Sequence, residues 1–444
     1  MLASLAMQTA DAQETGQPEH PARAAVTGWV LYDLANTAFS MGVVSLGFPL
    51  WVREQVGAGG ADRTVGLVTA LSMGVIFVLS PVLGSMADRA RRRLPFLVVS
   101  TIGCVALTAV LGTVAYWPTL VAFAVANILY QAGLQFYDAL LPSVSTPSTR
   151  GRIGGIGVGV GYLGSVVAVA LATVRAKLNA PHSQLFWALA LVFLLFALPC
   201  FLWVKEKPNP SPGRVWSLRA LGQAMRETLR TLRESKEHPG LLRFLIGRVL
   251  YTDPINTVIT VMMLYSINVA ETGGMGKKAA EGAARLVMFG AILFAVVGGF
   301  VWGRLVDRWG SRRVLGWVLW LWLATFALAA SLGLLALPWK LLMVVSILAG
   351  LALGGTWSAD RPLMLELTPP ERVGEFYGLY GMVGRFSAVF GPLVWALVTS
   401  ALVRAGSSAL RAQGASIVVL LVIVVASMRV LRPLTAVRAA GRTG

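Results

Sequence analysis

Asp33-Leu34-Ala35-Asn36-Thr37 is followed, 220 residues later, by Asp253-Pro254-Ile255-Asn256-Thr257. In both copies an Asp, an Asn and a Thr are spaced i, i+3, i+4, which puts them on one face of a helix. Each copy sits inside a long apolar run, so each is a polar stripe on a helix otherwise suited to lipid or to the inside of a bundle. The surrounding chain has 444 residues, is 56% hydrophobic and only 13% charged, and has a mean hydropathy of +0.70. A soluble globular chain has about a quarter of its residues charged. The numbers therefore predict a polytopic membrane protein.

A membrane helix needs about 20 mostly apolar residues, and on that rule twelve spans are expected. The first six are 27–52, 64–86, 95–116, 118–143, 153–175 and 184–204; the second six are 243–268, 282–306, 313–337, 340–364, 373–402 and 415–431. The implied domains are a polar N-terminal tail (1–24), an N-terminal six-helix bundle (25–204), a linker (205–240), a C-terminal six-helix bundle (241–432) and a tail (433–444). The linker opens on Pro208, Pro210 and Pro212 and continues as a basic amphipathic helix pattern from Leu218 to Glu237. With both termini placed in the cytoplasm, 25 of the 38 Lys and Arg residues fall on the inner side and 10 on the outer. That bias orients the chain. It also accounts for the net charge of +18 without nucleic acid, because the basic residues lie in short clusters between apolar runs. Residues 1–24 carry Arg23 as their one basic residue and no basic-then-apolar pattern, so no cleaved signal peptide is expected. Cys104 and Cys200 both fall within spans, which excludes a disulfide framework and a Cys-x-x-Cys metal site; no cofactor or metal is expected.

The repeat is longer than the opening stretch. Gly84, Asp88, Arg89 and Arg93 match Gly303, Asp307, Arg308 and Arg312, while Pro142, Arg152, Gly154, Gly161 and Gly164 match Pro362, Arg372, Gly374, Gly381 and Gly384. Two six-span halves in the same orientation follow, related by an axis along the membrane normal. Charge adds a second pattern. Spans one, four, seven and ten each carry one Asp (Asp33, Asp138, Asp253, Asp360), whereas spans three, six, nine and twelve carry no charge away from their ends. A charge facing lipid costs several kcal/mol, so the first set should line a cavity and the second should face lipid. Trp317, Trp320 and Trp322 of span nine are accordingly expected against lipid.

The stretch Gly303-Arg304-Leu305-Val306-Asp307-Arg308-Trp309-Gly310-Ser311-Arg312-Arg313 resembles the motif after the second span, and again the eighth, of major facilitator transporters. The earlier copy, Gly84 to Arg93, has Ala90 where that motif usually has Gly. More narrowly, Tyr32-Asp33-Leu34-Ala35-Asn36-Thr37, Phe136-Tyr137-Asp138 with Pro142, Gly161-Tyr162-Leu163-Gly164 and Glu375-Phe376-Tyr377-Gly378 resemble the branch named for a vacuolar amino-acid effluxer. The chain departs from that branch at Pro254, where Gly is usual, and at Arg385, where Lys is expected. The resemblance implies an all-α membrane protein of twelve transmembrane helices in two pseudo-symmetric six-helix bundles, the major facilitator fold, working by alternating access. No P-loop is present, since Gly276-Lys277 has Glu271 where the first Gly belongs. Energy would come from an ion or solute gradient.

For the residues themselves two roles compete. Asp33 and Asp253, with Asn36, Thr37, Asn256 and Thr257 beside them, are substrate or coupling-ion groups, since a carboxylate in low dielectric can load and release a proton near neutral pH. They are otherwise gate acids paired to Arg248 or Arg361. The same choice holds for Asp138; Asp360 is expected to pair with its neighbour Arg361. Arg385, near the midplane, is the candidate for an anionic substrate group, which a guanidinium holds bidentately, or else the ion-pair partner of Asp253 or Asp33. Gly84, Asp88, Arg89, Arg93, Gly303, Asp307, Arg308, Gly310 and Arg312 form a gating motif, each Asp accepting from N–H groups at a facing helix start. Pro142 and Pro362 are expected to end or kink their helices in matching places. Tyr32, Tyr137, Tyr162, Tyr251, Tyr377 and Tyr380 are candidate cavity residues, or packing. The spans hold no His, and no intramembrane catalytic motif stands out, so the chain is not expected to be an enzyme.

The expected activity is secondary transport of a small polar solute across the cytoplasmic membrane, with protons as a possible coupling ion and export of amino acids or related metabolites favoured. The expected surroundings are the lipid bilayer and a small-molecule substrate, with the chain as a monomer. The alternative is a receptor or regulator that kept a transporter fold without moving solute.

Overall fold

The computed structural model describes residues 21–209, 212 and 239–436, and among these the chain is all helical, with no strand. The predicted linker helix Leu218–Glu237 lies outside the described residues, as do 1–20 and 437–444 of the tails. The helices are α1 (Arg23–Gly57), α2 (Arg63–Arg89), α3 (Leu94–Val110), α4 (Tyr116–Ala139), α5 (Arg150–Lys177), α6 (His182–Trp203), α7 (Pro239–Thr272), α8 (Lys277–Trp309), α9 (Ser311–Leu335), α10 (Leu341–Glu366), α11 (Val373–Arg404) and α12 (Ala409–Ala436). Ten of them are long and apolar enough to cross a membrane; α3 is a shorter apolar helix, and α7 carries its polar groups near its middle.

Glycine sets two of the sharp changes of direction. Gly57 at φ 74° separates α1 from α2, and Gly310 at φ 83° separates α8 from α9, in a backbone region that side chains with a Cβ rarely enter. Immediately after the Asp33 stripe, α1 loosens into π-helical turns over Ser40–Gly47. The two matched prolines behave differently. Pro142 follows the end of α4 and opens a separate turn, Leu141–Val144, whereas Pro362 sits inside α10, which continues to Glu366.

Within the N-terminal half α1 packs on α5 and α6, α2 on α4, and α3 on α4 and α6; within the C-terminal half α7 packs on α11 and α12, α8 on α10, and α9 on α10 and α12. The halves meet through α2 against α11 and α5 against α8, with α4 touching α11 and α5 touching α10. Large apolar side chains cover the outside, among them Val99 of α3, Leu191 and Leu195 of α6, Trp320 of α9 and Val422 of α12. Trp322 departs from the lipid-facing expectation. It is buried, its indole N–H donating to Thr356 Oγ1 of α10 at 2.9 Å, because two residues turn a helix position by about 200° away from Trp320.

Candidate functional site

A cavity of about 370 Å³ lies between the halves. Asp33, Asn36, Thr37 and Ser40 line it from α1, a continuation of the i, i+3, i+4 stripe by one more turn. Opposite stand Trp357 and Arg361 of α10, Tyr377, Tyr380 and Arg385 of α11, and Arg248 of α7. Asp253, Asn256 and Thr257 do not line it, so the two stripes do not face each other. The face that α7 turns to the cavity is that of Arg248, and five further residues carry Asp253 roughly 140° around the helix.

Arg361 crosses from one half to the other. Its Nη1 donates to Asp33 Oδ2 at 3.1 Å, and its Nε stands 3.1 Å from Asp138 Oδ1, at ion-pair distance but off the hydrogen-bond angle. The guanidinium also lies over the Tyr137 ring at 5.7 Å, a ring stacked on Trp29 and Tyr32. One cation thus serves two buried carboxylates, an arrangement whose net value depends on every partner staying in place. The expected Asp360–Arg361 pair does not form, since consecutive helix residues point about 100° apart. Asp360 turns into the C-terminal half instead. It accepts from Arg248 Nε at 2.9 Å, from Tyr380 OH at 2.8 Å and from Tyr251 OH. Arg248 also donates to Tyr380 O at 2.8 Å and lies over the same ring.

Arg385 meets no acid in its hydrogen bonds. Its Nη1 donates to Ser80 Oγ at 2.5 Å and its Nη2 to Gln131 O at 2.9 Å, while Nε has no partner among the described residues. Ser80 in turn donates to Gln135 Oε1, and Gln135 Nε2 donates to Ser80 O at 2.8 Å, fixing the acceptor. Asn36 is 2% exposed, yet among the described residues neither its amide nitrogen nor its amide oxygen has a partner. Of the candidate tyrosines, Tyr162, Tyr377 and Tyr380 line the cavity, whereas Tyr32, Tyr137 and Tyr251 are packed beside it. Tyr130, Gln131, Gln135 and Trp357 also line it and were not singled out in the sequence. Tyr130, Gln131 and Gln135 precede Asp138 by eight, seven and three residues, close to whole turns, so the Asp138 face of α4 was the available signal.

Asp253 is buried within α7 and α11. Its Oδ1 accepts from Gly391 N–H at 2.6 Å, its backbone oxygen accepts from Thr257 Oγ1 at 2.8 Å, and its Oδ2 has no partner among the described residues. Asn256 is half-buried beside it.

The halves are sealed at one end, the end that gathers the α2–α3, α4–α5, α8–α9 and α10–α11 connections and is called the inner end below. Asp88 accepts from Gly374 N–H and Glu375 N–H, each at 2.7 Å, at the start of α11. Asp307 accepts from Gly151 N–H at 2.7 Å and Arg152 N–H at 2.9 Å at the start of α5. Both carboxylates thus sit on helix N-termini, where dipole and free N–H groups favour an anion. Glycines let the backbones close here, with Gly84 against Gly374 and Gly303 against Gly151 and Gly155. Arg93 adds an ion pair to Asp88 at 2.7 Å, Arg308 stacks over Trp309, and Arg89 and Arg312 are engaged as well. Glu206 accepts from the N–H groups of Arg93 and Leu94, tying the end of the N-terminal half to the same loop. Toward the other end of α2 and α8 the surface is open: a methyl added at Gly66, Gly74 or Gly282 would meet nothing within 4 Å, and Leu67, Leu71, Val75 and Val78 are exposed.

Residues 61–440 match the family described as vacuole effluxer Atg22 like. The chain is similar to the uncharacterized MFS-type transporter YxiO of Bacillus subtilis (strain 168), with 27% identity over 407 residues, 86% of this chain and 89% of that one. It is also similar to autophagy-related protein 22-1 of Neosartorya fischeri, with 27% identity over 272 residues, 56% of this chain and 43% of the fungal protein. Among solved structures it superposes on the human organic anion transporter MFSD10 (TETRAN) with a TM-score of 0.72 at 16% identity, covering 94% of this chain and all of that one. A bacterial homologue of the iron transporter ferroportin in an outward-facing state gives a TM-score of 0.70 at 16% identity, covering 93% and 98%. The fold is that of the major facilitator transporters.

Proposed function

This chain belongs to the vacuole effluxer Atg22-like family, a multi-pass membrane family related to major facilitator transporters, and from that premise we propose a secondary active transporter that moves a small polar solute by alternating access. In this reading all twelve helices cross the cytoplasmic membrane and both termini are cytoplasmic, in line with the positive-inside bias. The closed inner end is the cytoplasmic gate, latched by Asp88 and Asp307, and the form described above faces outward.

The observation that carries the reading is Asn36. A buried amide with neither donor nor acceptor satisfied is costly, and a polar solute in the cavity supplies both bonds. Arg385 supplies the second contact, because its hydrogen-bond partners are neutral and a carboxylate is a better one. Of the charged residues that line the cavity, Asp33 and Asp138 come from the N-terminal half and Arg248, Arg361 and Arg385 from the C-terminal half, a polarity suited to a zwitterion with its ammonium toward α1 and α4. Amino acids or related metabolites are therefore the favoured solutes, with export the favoured direction and a proton the favoured coupling ion. The chain acts as a monomer, with the bilayer and its solute as partners.

The test is thermal unfolding of the purified protein against amino acids, peptides, sugars and organic anions. A solute at about a hundred times its dissociation constant stabilises the bound state by about 2.7 kcal/mol. The expected result is stabilisation by one class bearing a carboxylate, lost in Asn36→Ala and in Arg385→Met. Stabilisation that survives both changes would place the solute elsewhere.

A further inference from the structure

The four intramembrane carboxylates are not alike. Asp33 and Asp138 share Arg361, and Asp360 has Arg248. Among the described residues Asp253 has no arginine or lysine partner; there it has one N–H, from Gly391, and one buried oxygen with nothing on it. The ionisable side chains of the helices packed on it are committed elsewhere or lie at helix ends. Arg248, Tyr251 and Tyr380 are bound to Asp360, and Arg385 to Ser80 and Gln131. Tyr377 donates to Arg361 O. On α8 the charged groups are Lys277, Lys278, Glu281, Arg285, Arg304, Asp307 and Arg308, and on α12 they are Arg411, Arg429 and Arg432, all near the ends of those helices. A carboxylate left ionised in such a place carries a large desolvation cost with no charge to offset it.

We propose that Asp253, Thr257 and the Gly391 turn form a binding site for one monovalent cation, a proton or Na+, separate from the solute cavity. Three oxygens converge there. A methyl group added to Gly391 would collide with Thr257 Oγ1 and would lie 2.9 Å from both Asp253 O and Asp253 Oδ2. The glycine therefore lets these oxygens approach the α11 backbone closely, where any side chain would displace them. Oxygen donors of this kind suit a hard cation, and a proton needs only Oδ2. The site also has a route to the solute. Gly391 and Arg385 lie six residues apart on α11, so loading the cation fixes the helix that carries the arginine. This inference takes its purpose from the transporter reading, but its test does not depend on transport.

The probe is NaCl titrated against choline chloride at constant ionic strength, with thermal unfolding of the purified full chain as the readout, at about pH 6 and about pH 8.5, where an ordinary carboxylate is already ionised. If Na+ is the ligand, it raises the midpoint by about 2–4 °C at the higher pH. If the proton is the ligand, Na+ does nothing and the midpoint falls by a similar amount between the two pH values, because the loaded form is lost as pH rises. Asp253→Asn, which keeps an acceptor for Gly391, abolishes either response, while Asp33→Asn retains it. Should Asp253→Asn fail to fold, Asp253→Ser, which also keeps an uncharged oxygen on α7 and adds no bulk, takes its place with the same expected loss. A wild-type protein that responds to neither cation overturns the proposal, as does an Asp253→Asn protein that responds like wild type. A positive cation response with no solute found in the ligand screen would leave this site standing and remove the transporter reading.

Discussion

Asp33 and Asp253 occupy the same place in the two halves and share their local surroundings, yet they have different partners. In each, a threonine four residues on donates back to the aspartate's own carbonyl, Thr37 at 3.0 Å and Thr257 at 2.8 Å. Beyond that turn the copies diverge. Asp33 reaches across the cavity to Arg361, whereas Asp253 stays within its half on a backbone N–H. The arginines account for the difference. Arg248, Arg361 and Arg385 lie in the C-terminal half, and the positions 220 residues earlier hold Gly28, Leu141 and Ser165. The repeat gives the two stripes matching local turns, and three unmatched arginines make the cavity polar from one half to the other.

The largest effect is expected where the halves are joined by charge. Arg361→Gln leaves Asp33 and Asp138 buried without a cation, a loss on the order of 3–5 kcal/mol. It should lower the unfolding midpoint far more than Asp253→Asn does. Adding Asp33→Asn to Arg361→Gln should recover part of the loss, since it removes one of the stranded charges. A double variant no more stable than Arg361→Gln would mean that the cross-half pair is not what holds Asp33. The smallest effect is expected where the copies agree. Thr37→Val and Thr257→Val each remove one side-chain bond to a helix carbonyl and should each cost about 0.5–1.5 kcal/mol. Equal losses in chemical denaturation would sharpen the view that the repeat is preserved locally and broken at long range. A much larger loss at Thr257 would instead tie that hydroxyl to the cation site.

What could be read in advance follows the same division. The ten long apolar helices, the doubled Asp88 and Asp307 loops and the Asp33–Asn36–Thr37 face are legible because length, turn residues and helical spacing are local properties. Partner choice is not. That Arg361 bypasses Asp360, that Arg385 lands on Ser80 and Gln131, and that Asp253 points away from the cavity all depend on how far each helix is rotated about its axis. That rotation is set by packing against helices distant in the chain. Trp322 is misplaced for the same reason, because an uncharged helix does not announce which face meets its neighbours. The cavity tyrosines are half legible, since a Tyr suits a packed core as well as a wet wall.

The central claim is that the halves move against each other about this cavity, with Asp88 and Asp307 holding the inner end shut. Pulsed electron spin resonance can test it directly with two pairs of spin labels across α2 and α11. One pair replaces Leu71 and Leu397 near the outer end, and the other replaces Arg92 and Glu371 at the inner end; the native Cys104 and Cys200 are buried. In a protein carrying both Asp88→Asn and Asp307→Asn the inner distance should lengthen while the outer one shortens, as a rocking motion requires. Unchanged distances, or two distances that grow together, would contradict the account.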